Sequence, residues 1–486
     1  MTDLLPFGFA KRHNVLLELP ATVYTQSPLG LSLYTELRRF TGAPLKIKTV
    51  GQAQFQKLMT QLYQSDTSQT RQTMQGINDE LELPSLAETM SEAEDLLEQQ
   101  DEAPVIRLIN AILTEAIQSQ ASDIHLETFE KSLGVRFRVD GILKEVAQPR
   151  RELAVLLISR IKVMAGLDIA EKRIPQDGRL SLRLGGREVD VRVSTLPSIY
   201  GERIVLRILD KQDQTIDLNA LGMCQSDRQR LQNLLGLSHG ILLVTGPTGS
   251  GKTTTLYAGL SHINDRKKNI LTVEDPVEYH IDGIGQTQVN NKAGMTFAKG
   301  LRAILRQDPD IVMVGEIRDL ETVQIAVQAS LTGHLVLSTL HTNTAAGAVT
   351  RLIDMGIEPF LLSSSLVGVL AQRLVRKLCP SCKQQYPVTV GEREIFISLQ
   401  ATDRIFRPAP QGCHQCHGEG YKGRSGIYEL ITLNDELRQL IHDKAPQSVL
   451  TKTARTTSTS IRADGLRKIL AGETSIAEVL RVTQES

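Results

Sequence analysis

A glycine-rich segment, Gly246-Pro-Thr-Gly-Ser-Gly-Lys-Thr253, constrains the fold of this 486-residue chain more than any other feature. It follows an apolar stretch, Gly240 to Thr245, which is typical of a buried strand, and it precedes a helical segment. A strand, this loop pattern and a helix are the context that a P-loop requires. Glycines there let backbone N–H groups surround phosphate oxygens at a helix N-terminus, with Lys252 on the β- and γ-phosphates and Thr253 on Mg²⁺. The predicted binding residues are Gly246, Pro247, Thr248, Gly249, Ser250, Gly251, Lys252 and Thr253.

Short apolar runs alternate with amphipathic helical stretches from Leu218 onward. This alternation is typical of strands buried on both faces of a mostly parallel sheet. It predicts an α/β core around the P-loop. The runs are Ile241 to Val244, Ile270 to Val273, Ile311 to Val314 and Leu335 to Leu340.

Carboxylates follow two of these predicted strands. Glu274, Asp275 and Glu278 end one apolar run, and Glu316 ends another. Because parallel strands share an edge for their carboxyl ends, these acids are expected beside the phosphates. Phosphoryl transfer depends on positioning and charge neutralisation, so one carboxylate would orient Mg²⁺ and another a water molecule. Either acid alone could also be a helix N-cap or an ion-pair partner.

Residues 104 to about 210 have the pattern of a small α+β domain. A helical stripe at 103–118 precedes strand-like segments at 135–139, 188–194 and 203–209, and the first of these ends in the hairpin signal Asp140-Gly141. The stretch 134–211 contains 16 Lys or Arg against 10 Asp or Glu. Sequence alone leaves two interpretations open, a binding surface for anions or solvated strand faces.

Four of the five cysteines form two Cys-x-x-Cys pairs, Cys379/Cys382 and Cys413/Cys416. Two such pairs can supply the four thiolate ligands of a tetrahedral Zn²⁺ site. This site would be structural because four thiolates leave no open coordination position. Two redox pairs are the alternative, although no thioredoxin-like βαβ context surrounds either motif. His414 and His417 are spare candidate ligands.

Composition limits the function classes. Lys plus Arg and Asp plus Glu each total 55, so no chain-wide positive field would bind nucleic acid or anionic lipid. Aromatic residues are 4%, which also argues against a nucleic-acid protein. No apolar run approaches the ~20 residues of a spanning helix, and Met1 to Pro20 has no signal-like stretch, which predicts a cytoplasmic protein. Between Gln72 and Ile106 there is no Lys or Arg, which indicates an acidic linker.

Together the motifs resemble those of the secretion and pilus ATPases, and most closely those of the type II secretion ATPase (GspE) family. Residues 1 to about 100 carry the resemblance more weakly, chiefly through Leu5-Pro-Phe-Gly-Phe-Ala-Lys11. The other matching motifs are Ala121-Ser-Asp-Ile-His-Leu-Glu127, the P-loop, the Asp box at 271–279, Gln307-Asp-Pro-Asp-Ile-Val-Met-Val-Gly-Glu-Ile-Arg318, the His box at 333–343 and both cysteine pairs.

The resemblance implies roles for individual residues. Glu278 would be the base that activates water, Glu316 would act through Mg²⁺, and His334 and His341 would sense the nucleotide. Two arginines of the smaller domain would reach the nucleotide phosphates when the domains close, and three others would line the site within or across subunits. Arginine suits this task because it can neutralise a phosphoryl group bidentately. The first two are Arg192 and Arg207, and the others are Arg302, Arg306 and Arg318.

The implied protein is a hexameric Mg²⁺-dependent ATPase that powers export by the type II secretion system at the cytoplasmic face of the inner membrane. It would bind ATP, Mg²⁺ and Zn²⁺ and no nucleic acid. It would be peripheral to the membrane and attached to the cytoplasmic domain of the L-type inner-membrane component and to the platform protein. A type IV pilus assembly ATPase shares the catalytic motifs and is the first alternative. A nucleic-acid motor and a noncatalytic nucleotide-gated scaffold are further ones.

The resemblance also implies a RecA-like P-loop core with a PAS-like α+β domain before it and a zinc module after it. The expected divisions are a partner-docking domain at 1–75, an acidic linker at 76–103, the arginine-bearing α+β domain at 104–212, the ATPase domain at 213–376, the four-cysteine module at 377–430 and a helical region at 431–486.

Overall fold

The computed structural model describes residues 5, 9–10, 13–18, 21–26, 28–52, 54–55, 58, 104–184, 187–210, 217–396, 399–400 and 403–483. The predicted acidic linker, 76–103, lies outside these residues. The chain forms two compact units, Met1–Gln212 and Asp213–Ser486.

A small three-stranded sheet opens the first unit. Its elements are β1 (Val15–Glu18), β2 (Thr22–Thr25), α1 (Leu31–Thr41) and β3 (Lys46–Thr49). Strand β2 pairs antiparallel with β1 and parallel with β3, and α1 connects β2 to β3. Helix α1 has eleven residues. It ends at Gly42, whose φ of 65° lies in the left-handed region that glycine tolerates best.

The remainder of the first unit packs two helices against a six-stranded antiparallel sheet of order β6-β5-β4-β9-β8-β7. The predicted hairpin is present, with Asp140 and Gly141 both at positive φ as a two-residue turn requires. Alternate strand residues such as Ile124 and Leu206 join the core with Leu113 and Leu157 of the helices. The elements are α2 (Pro104–Gln118), β4 (Ala121–Thr128), β5 (Leu133–Val139), β6 (Ile142–Ala147), α3 (Glu152–Met164), β7 (Gln176–Leu184), β8 (Arg187–Ser198) and β9 (Gly201–Asp210).

The second unit is built on a seven-stranded sheet of order β12-β11-β13-β14-β10-β15-β18. Every neighbouring pair is parallel except β15 and β18. The predicted α/β class with a mostly parallel, buried sheet is confirmed. Its strands are β10 (Gly240–Thr245), β11 (Ile270–Glu274), β12 (Gly285–Gln288), β13 (Ile311–Val314), β14 (Leu335–Leu340), β15 (Leu366–Leu378) and β18 (Tyr421–Thr432), and a separate pair is formed by β16 (Gln384–Pro387) and β17 (Arg404–Arg407).

Helices cover both faces of this sheet, so each face has its own core. In β10, Ile241 and Leu243 belong to one core, and Leu242 and Val244 belong to the other. This two-sided burial explains the uninterrupted apolar runs in the sequence. The helices are α4 (Gln225–Leu235), α5 (Lys252–Ile263), α6 (Phe297–Ile304), α7 (Leu320–Leu331), α8 (Ala345–Asp354), α9 (Pro359–Ser365), α10 (Val390–Ile395), α11 (Asp435–His442), α12 (Gln447–Ala454), α13 (Ile461–Leu470) and α14 (Ile476–Thr483), with short 3₁₀ turns at Leu218–Leu221, Asn291–Ala293 and His414–Cys416.

The core sheet extends beyond the boundaries expected for the cysteine module. Strand β15 continues to Leu378 and β18 to Thr432, and the two strands pair along most of their length. The expected divisions at 376/377 and 430/431 therefore fall within paired strands. The segment 379–420 is an insertion between two neighbouring strands of the sheet, which a reading of local sequence could not show. Within the described ranges, no helix combines the length and the apolar character needed to cross a membrane.

A buried ion pair joins α3 to β9 in the first unit. Lys162 Nζ lies 2.8 Å from Glu202 Oε1, and the two side chains are only 1% and 3% exposed. Lys162 Nζ also donates to the carbonyl oxygen of Glu171 at 2.7 Å. Each charge is tolerated in the core because the other is present.

We predict that Lys162→Met destabilises the first unit by about 3–5 kcal/mol, because it leaves the Glu202 carboxylate buried without its counter-charge. Hydrogen exchange of the α3 and β9 amides in the full chain would measure the loss. The double variant Lys162→Met/Glu202→Leu should recover most of it, since neither charge then remains. Equal destabilisation in the single and double variants would contradict this account.

Candidate active site

The loop between β10 and α5 has a backbone that only glycine accommodates at its turning points. Gly246, Gly249 and Gly251 have φ angles of 154°, 77° and 84°. A Cβ atom on Gly246 would lie 2.5 Å from Ser250 Oγ and 2.6 Å from the carbonyl oxygen of Gln372. The loop thus folds tightly onto the N-terminus of the 12-residue helix α5, where unpaired amides favour an anion.

The ammonium group of Lys252 is held inside this loop. Its Nζ donates to the carbonyl oxygens of Gly246 at 2.9 Å and Pro247 at 3.1 Å, and the residue is 8% exposed. Burial lowers the pKa of Lys252 to about 8, although the negative charge of Glu316 acts in the opposite direction. The Lys252 ammonium group is therefore bonded to two uncharged carbonyl oxygens, which phosphate oxygens could replace as acceptors.

The donor set of the loop fits a nucleotide phosphate. Ser250 Oγ is buried and has no hydrogen-bond partner among the described residues. Thr253, one residue after Lys252, is exposed on the first turn of α5. An orphaned hydroxyl, a partly desolvated ammonium and helix N-terminal amides are what a phosphate chain requires, and a hydroxyl at Thr253 suits Mg²⁺.

Three predicted residues meet beside Lys252. Glu316, which follows β13, forms an ion pair with Arg318, and its Oε2 lies 3.5 Å from Nε2 of His341. Burial lowers the pKa of His341, as does the charge of Lys252, while Glu316 opposes them. These mutual effects place Lys252, Glu316, Arg318 and His341 in one cluster at the carboxyl edge of the sheet.

The predicted base lies on the segment that follows β11. Glu278 is exposed, and its backbone N–H donates to the hydroxyl of Tyr257 at 3.3 Å. Glu274, four residues earlier, is 2% exposed and faces inward. The two glutamates of the Asp box therefore have different environments, one available to solvent and one enclosed.

His334 lies at the other edge of the sheet. It precedes the six-residue strand β14, whereas His341 follows it, so roughly 20 Å of strand separates the two. The backbone carbonyl of His334 accepts from Gly240 N–H, at the beginning of β10. Its Nδ1 is 2.9 Å from the carbonyl oxygen of Ala329. The chain does not bring His334 to its own P-loop.

Arg306, just after α6, is also remote from the P-loop of its own chain, whereas Arg302 contacts the beginning of α7. Arg302 pairs with Glu321 at 2.6 Å, and Arg306 donates to the carbonyl oxygen of Arg302. The next residue, Gln307, bonds through its carbonyl to Asn269, which precedes β11. This contact places the end of α6 at the amino edge of the sheet, together with His334.

Arg192 and Arg207 lie in the first unit, opposite each other on β8 and β9. Residues paired directly across neighbouring strands extend this pair into a row that crosses β5, β4, β9, β8 and β7. The row consists of Arg138, Asp123, Arg207, Arg192 and Arg179. Directly opposed residues point to one side of a sheet, so four guanidinium groups share a face with one carboxylate. Asp123 Oδ1 accepts from Arg207 Nε at 2.8 Å, and Oδ2 lies 3.7 Å from Arg138 Nε.

Sequence reasoning missed two polar residues of β15. Gln372 is buried and donates to the carbonyl oxygen of Ser250 at 2.6 Å, so it fixes the P-loop. Arg373 donates to the carbonyl oxygen of Asn343 at 2.9 Å and to its Oδ1 at 3.0 Å, so it fixes the end of the His box. In the sequence, two adjacent polar residues within the otherwise apolar first part of β15 could have indicated a role for this pair.

The four predicted cysteines form one cluster. Their sulfur atoms all lie within 4.8 Å of one another, and three Sγ–Sγ distances are 3.7 Å, namely 379–413, 382–416 and 413–416. Thiolates at 2.3 Å from a tetrahedral Zn²⁺ would be about 3.8 Å apart, whereas a disulfide needs about 2.05 Å. The geometry fits a metal site and excludes disulfides between these pairs.

Backbone donors favour the thiolate form of Cys416. Cys416 Sγ accepts from the N–H groups of Cys413 and Gly420, each at 3.1 Å. Burial raises the pKa of Cys416, but these bonds, together with hydrogen bonds from the thiols of Cys413 and Cys382, outweigh it and lower the value to about 6. A thiolate is the form that ligates metal, so the cluster could hold an ion.

Comparison with known proteins agrees with this geometry. The family model described as "Type II/IV secretion system protein" matches residues 98–481, and a second model, described as a domain of "GSPII protein E", matches residues 4–63. Type II secretion system protein E of Pseudomonas aeruginosa is 60% identical, over 99% of this chain and 96% of its own length. Type II secretion system ATPase E of Vibrio cholerae is 58% identical, over 99% and 97%.

Solved structures share the fold. The pilus retraction motor PilT with bound ADP is 26% identical, with a TM-score of 0.52, covering 77% of this chain and 96% of that chain. The Legionella pneumophila ATPase DotB is 22% identical, with a TM-score of 0.57, covering 77% of this chain and 95% of that chain. The family matches span both units, and the chain belongs to the type II secretion system protein E (GspE) family of secretion ATPases.

Proposed function

We propose that this chain hydrolyses ATP with Mg²⁺, as a ring of six copies, to power protein export by the type II secretion system at the cytoplasmic face of the inner membrane. The convergence of Lys252, Glu316, Arg318 and His341 beside the P-loop carries the proposal. The full-length relatives named for type II secretion favour this pathway over pilus assembly.

The residues at the carboxyl edge of the sheet divide the chemistry among them. Lys252 neutralises phosphate charge, and the exposed carboxylate of Glu278 accepts the proton of the attacking water. Thr253 and Glu316 would hold Mg²⁺, which would neutralise phosphate charge when it is bound. Arg318 and His341 hold the Glu316 carboxylate in place.

The remaining arginines and His334 have roles that require motion or a neighbour. Arg192 and Arg207 would reach the phosphates on domain closure, when phosphate oxygens would replace Asp123 on Arg207. Arg306 and His334 lie near the amino edge of the sheet, away from their own P-loop, and Arg302 pairs with Glu321 at the beginning of α7. In a homo-hexameric ring they would serve the site of an adjacent subunit.

We expect Glu278→Gln to lower kcat about 10²- to 10⁴-fold, because it removes the proton acceptor and leaves the P-loop intact. Steady-state ATPase assays and nucleotide-binding titrations would show lost turnover with unchanged affinity. Asp282→Asn is the matched control, since Asp282 is an exposed acid of the same segment that pairs with Arg266. If Glu278→Gln and the unmodified chain bound ATP alike and hydrolysed it at one slow rate, the chain would be a nucleotide-gated scaffold.

Zn²⁺ is the metal that we assign to the cysteine cluster. Four sulfur atoms lie within 4.8 Å of one another, with three of the pairs 3.7 Å apart, which matches tetrahedral Zn²⁺ coordination, and the closed site gives the ion a structural role. It would fasten the end of β15 to the beginning of β18, because the two cysteine pairs lie next to those strand ends.

Elemental analysis of the purified chain should find about one zinc ion per chain. Cys382→Ser should lose most of this metal and unfold at a lower temperature, whereas Cys224→Ser, which alters the cysteine outside the cluster, should retain both. A metal-free chain that unfolds at the same temperature as the metal-loaded one would rule out the structural zinc.

Docking is the proposed role of the N-terminal part, residues 1–75. The separate family match at 4–63 and the independent small core formed by Leu5, Val15, Leu17, Val23 and Leu37 support it. The expected partners are the cytoplasmic domain of the L-type inner-membrane component and the platform protein. Such docking would keep the chain in the cytoplasm and peripheral at the inner membrane.

A pull-down of membrane proteins should recover a type II secretion component with the intact chain and not with a chain starting at Ala103, because the truncation removes the docking part. Mass spectrometry would identify the captured proteins. Equal ATP binding by both chains would show that the truncated chain is folded. Capture of pilus assembly proteins would assign the chain to the pilus pathway and leave the hydrolytic assignments unchanged.

A further inference from the structure

Tyr257 lies on the phosphate-binding helix and contacts the segment that carries Glu278. It is fully buried on α5, five residues after Lys252. Its hydroxyl accepts from the backbone N–H of Glu278 at 3.3 Å and donates to Oε2 of Glu274. One phenol oxygen therefore connects the helix of the P-loop, the end of β11 and the backbone of the proposed base.

The Glu274 carboxylate that receives this proton is itself fixed. Its Oε1 accepts from Thr272 Oγ1 at 2.5 Å and from Gln286 Nε2 at 3.2 Å, so three donors hold a side chain that is 2% exposed. Burial raises the pKa of Glu274, while these hydrogen bonds oppose the shift. The tyrosine hydroxyl consequently has one well-defined acceptor, and its oxygen accepts from the Glu278 amide and, at 3.4 Å, from Nε2 of Gln286.

Gln286 ties the rest of the Asp-box segment to the same network. Its Nε2 donates to the carbonyl oxygen of Tyr279 at 3.1 Å, and its Oε1 accepts from the N–H of Ile281 at 2.8 Å. The ring of Tyr279 packs edge-on against Tyr257, with centroids 4.6 Å apart. The segment that follows Glu278 is thus held against α5 and not only against its own strand.

A second buried tyrosine, Tyr428, has a hydroxyl that makes hydrogen bonds but does not contact the proposed base. Tyr428 lies on β18 and is 2% exposed; its hydroxyl donates to the carbonyl oxygen of Leu221 at 2.9 Å and also bonds to Thr255 of α5, but not to the Glu278 amide. Those bonds satisfy a buried polar group. The partners of Tyr257 differ because one of them is the amide of the proposed base.

We propose that Tyr257, held by Glu274, is a positioning residue that sets the place of Glu278 relative to the phosphates bound at the N-terminus of α5. The inference rests on the proposed function, because it needs Glu278 to be the base. A catalytic group displaced by about 1 Å can lose about 10²-fold in rate, so the hydrogen bond to its backbone is a sensitive point.

The test compares Tyr257→Phe with the matched variant Tyr428→Phe in the full-length chain. Each removes one buried hydroxyl and leaves the ring. For Tyr257→Phe we expect kcat to fall roughly ten- to a hundredfold with KM for ATP unchanged, and hydrogen exchange at the Glu278 amide to become faster. Tyr428→Phe should change neither, although both variants should lower the unfolding temperature similarly. Equal kcat in the two variants would overturn the inference.

A double-variant cycle separates this inference from the function on which it rests. If Tyr257 acts through Glu278, Tyr257→Phe should have no further effect on the residual single-turnover rate of Glu278→Gln. A full additional loss there would show that Tyr257 acts on something else, and the inference would fail while the base assignment survives. Unchanged turnover in Glu278→Gln itself would remove the base and the inference together.

Glu274→Gln and Glu274→Leu give a graded check. Glutamine keeps a carbonyl acceptor for the Tyr257 hydroxyl, whereas leucine leaves that hydroxyl without one. We expect Glu274→Gln to retain more turnover and slower exchange at the Glu278 amide than Glu274→Leu. The reverse order would contradict the assigned role of Glu274.

Discussion

The buried ammonium group of Lys252 is the constraint on which the second unit depends. A desolvated cation is costly, and here two carbonyl oxygens of its own loop and the nearby Glu316 offset that cost. The carbonyls reach it only if the loop turns back on itself at Gly246, where a side chain would collide with Ser250 and with the backbone of β15. The position of β15 beside β10 is therefore part of the phosphate site.

Strand β15 is held in that position from its far side. Glu429 of β18 is 2% exposed and pairs with Arg455 at 2.9 Å, and Glu478 of α14 pairs with Arg376 of β15 at 2.5 Å. Because a buried carboxylate keeps its charge only while its partner is present, the terminal helices cannot leave without a large loss of stability. Residues distant in sequence from the P-loop thus fix Gln372, which bonds to the P-loop backbone.

The features that could be predicted from the sequence are those encoded by a few residues close together in the chain. The P-loop, the apolar strands, the hairpin at Asp140 and Gly141 and the cysteine pairs each combine residue type with spacing, and the fold shows all of them. Gln372 and Tyr257 could not be predicted, since their roles come from contacts across the sheet. His334 is intermediate, because a strand of six residues between it and His341 already implies opposite edges.

The insertion at 379–420, which contains the four cysteines, lies at the end of the paired strands β15 and β18. Paired strands fray at their ends unless something joins them, and β15 and β18 continue to Leu378 and Tyr421, immediately beside the two cysteine pairs. Arg376 stacks on Tyr421 at 4.1 Å and also pairs with Glu478, so one guanidinium links both strand ends to the last helix. The cluster therefore lies where fraying would begin. Loss of pairing from this end of β15 would reach Arg376 first and, four residues further in, Gln372, so a metal bound by the cluster would support the P-loop through β15 without contacting it.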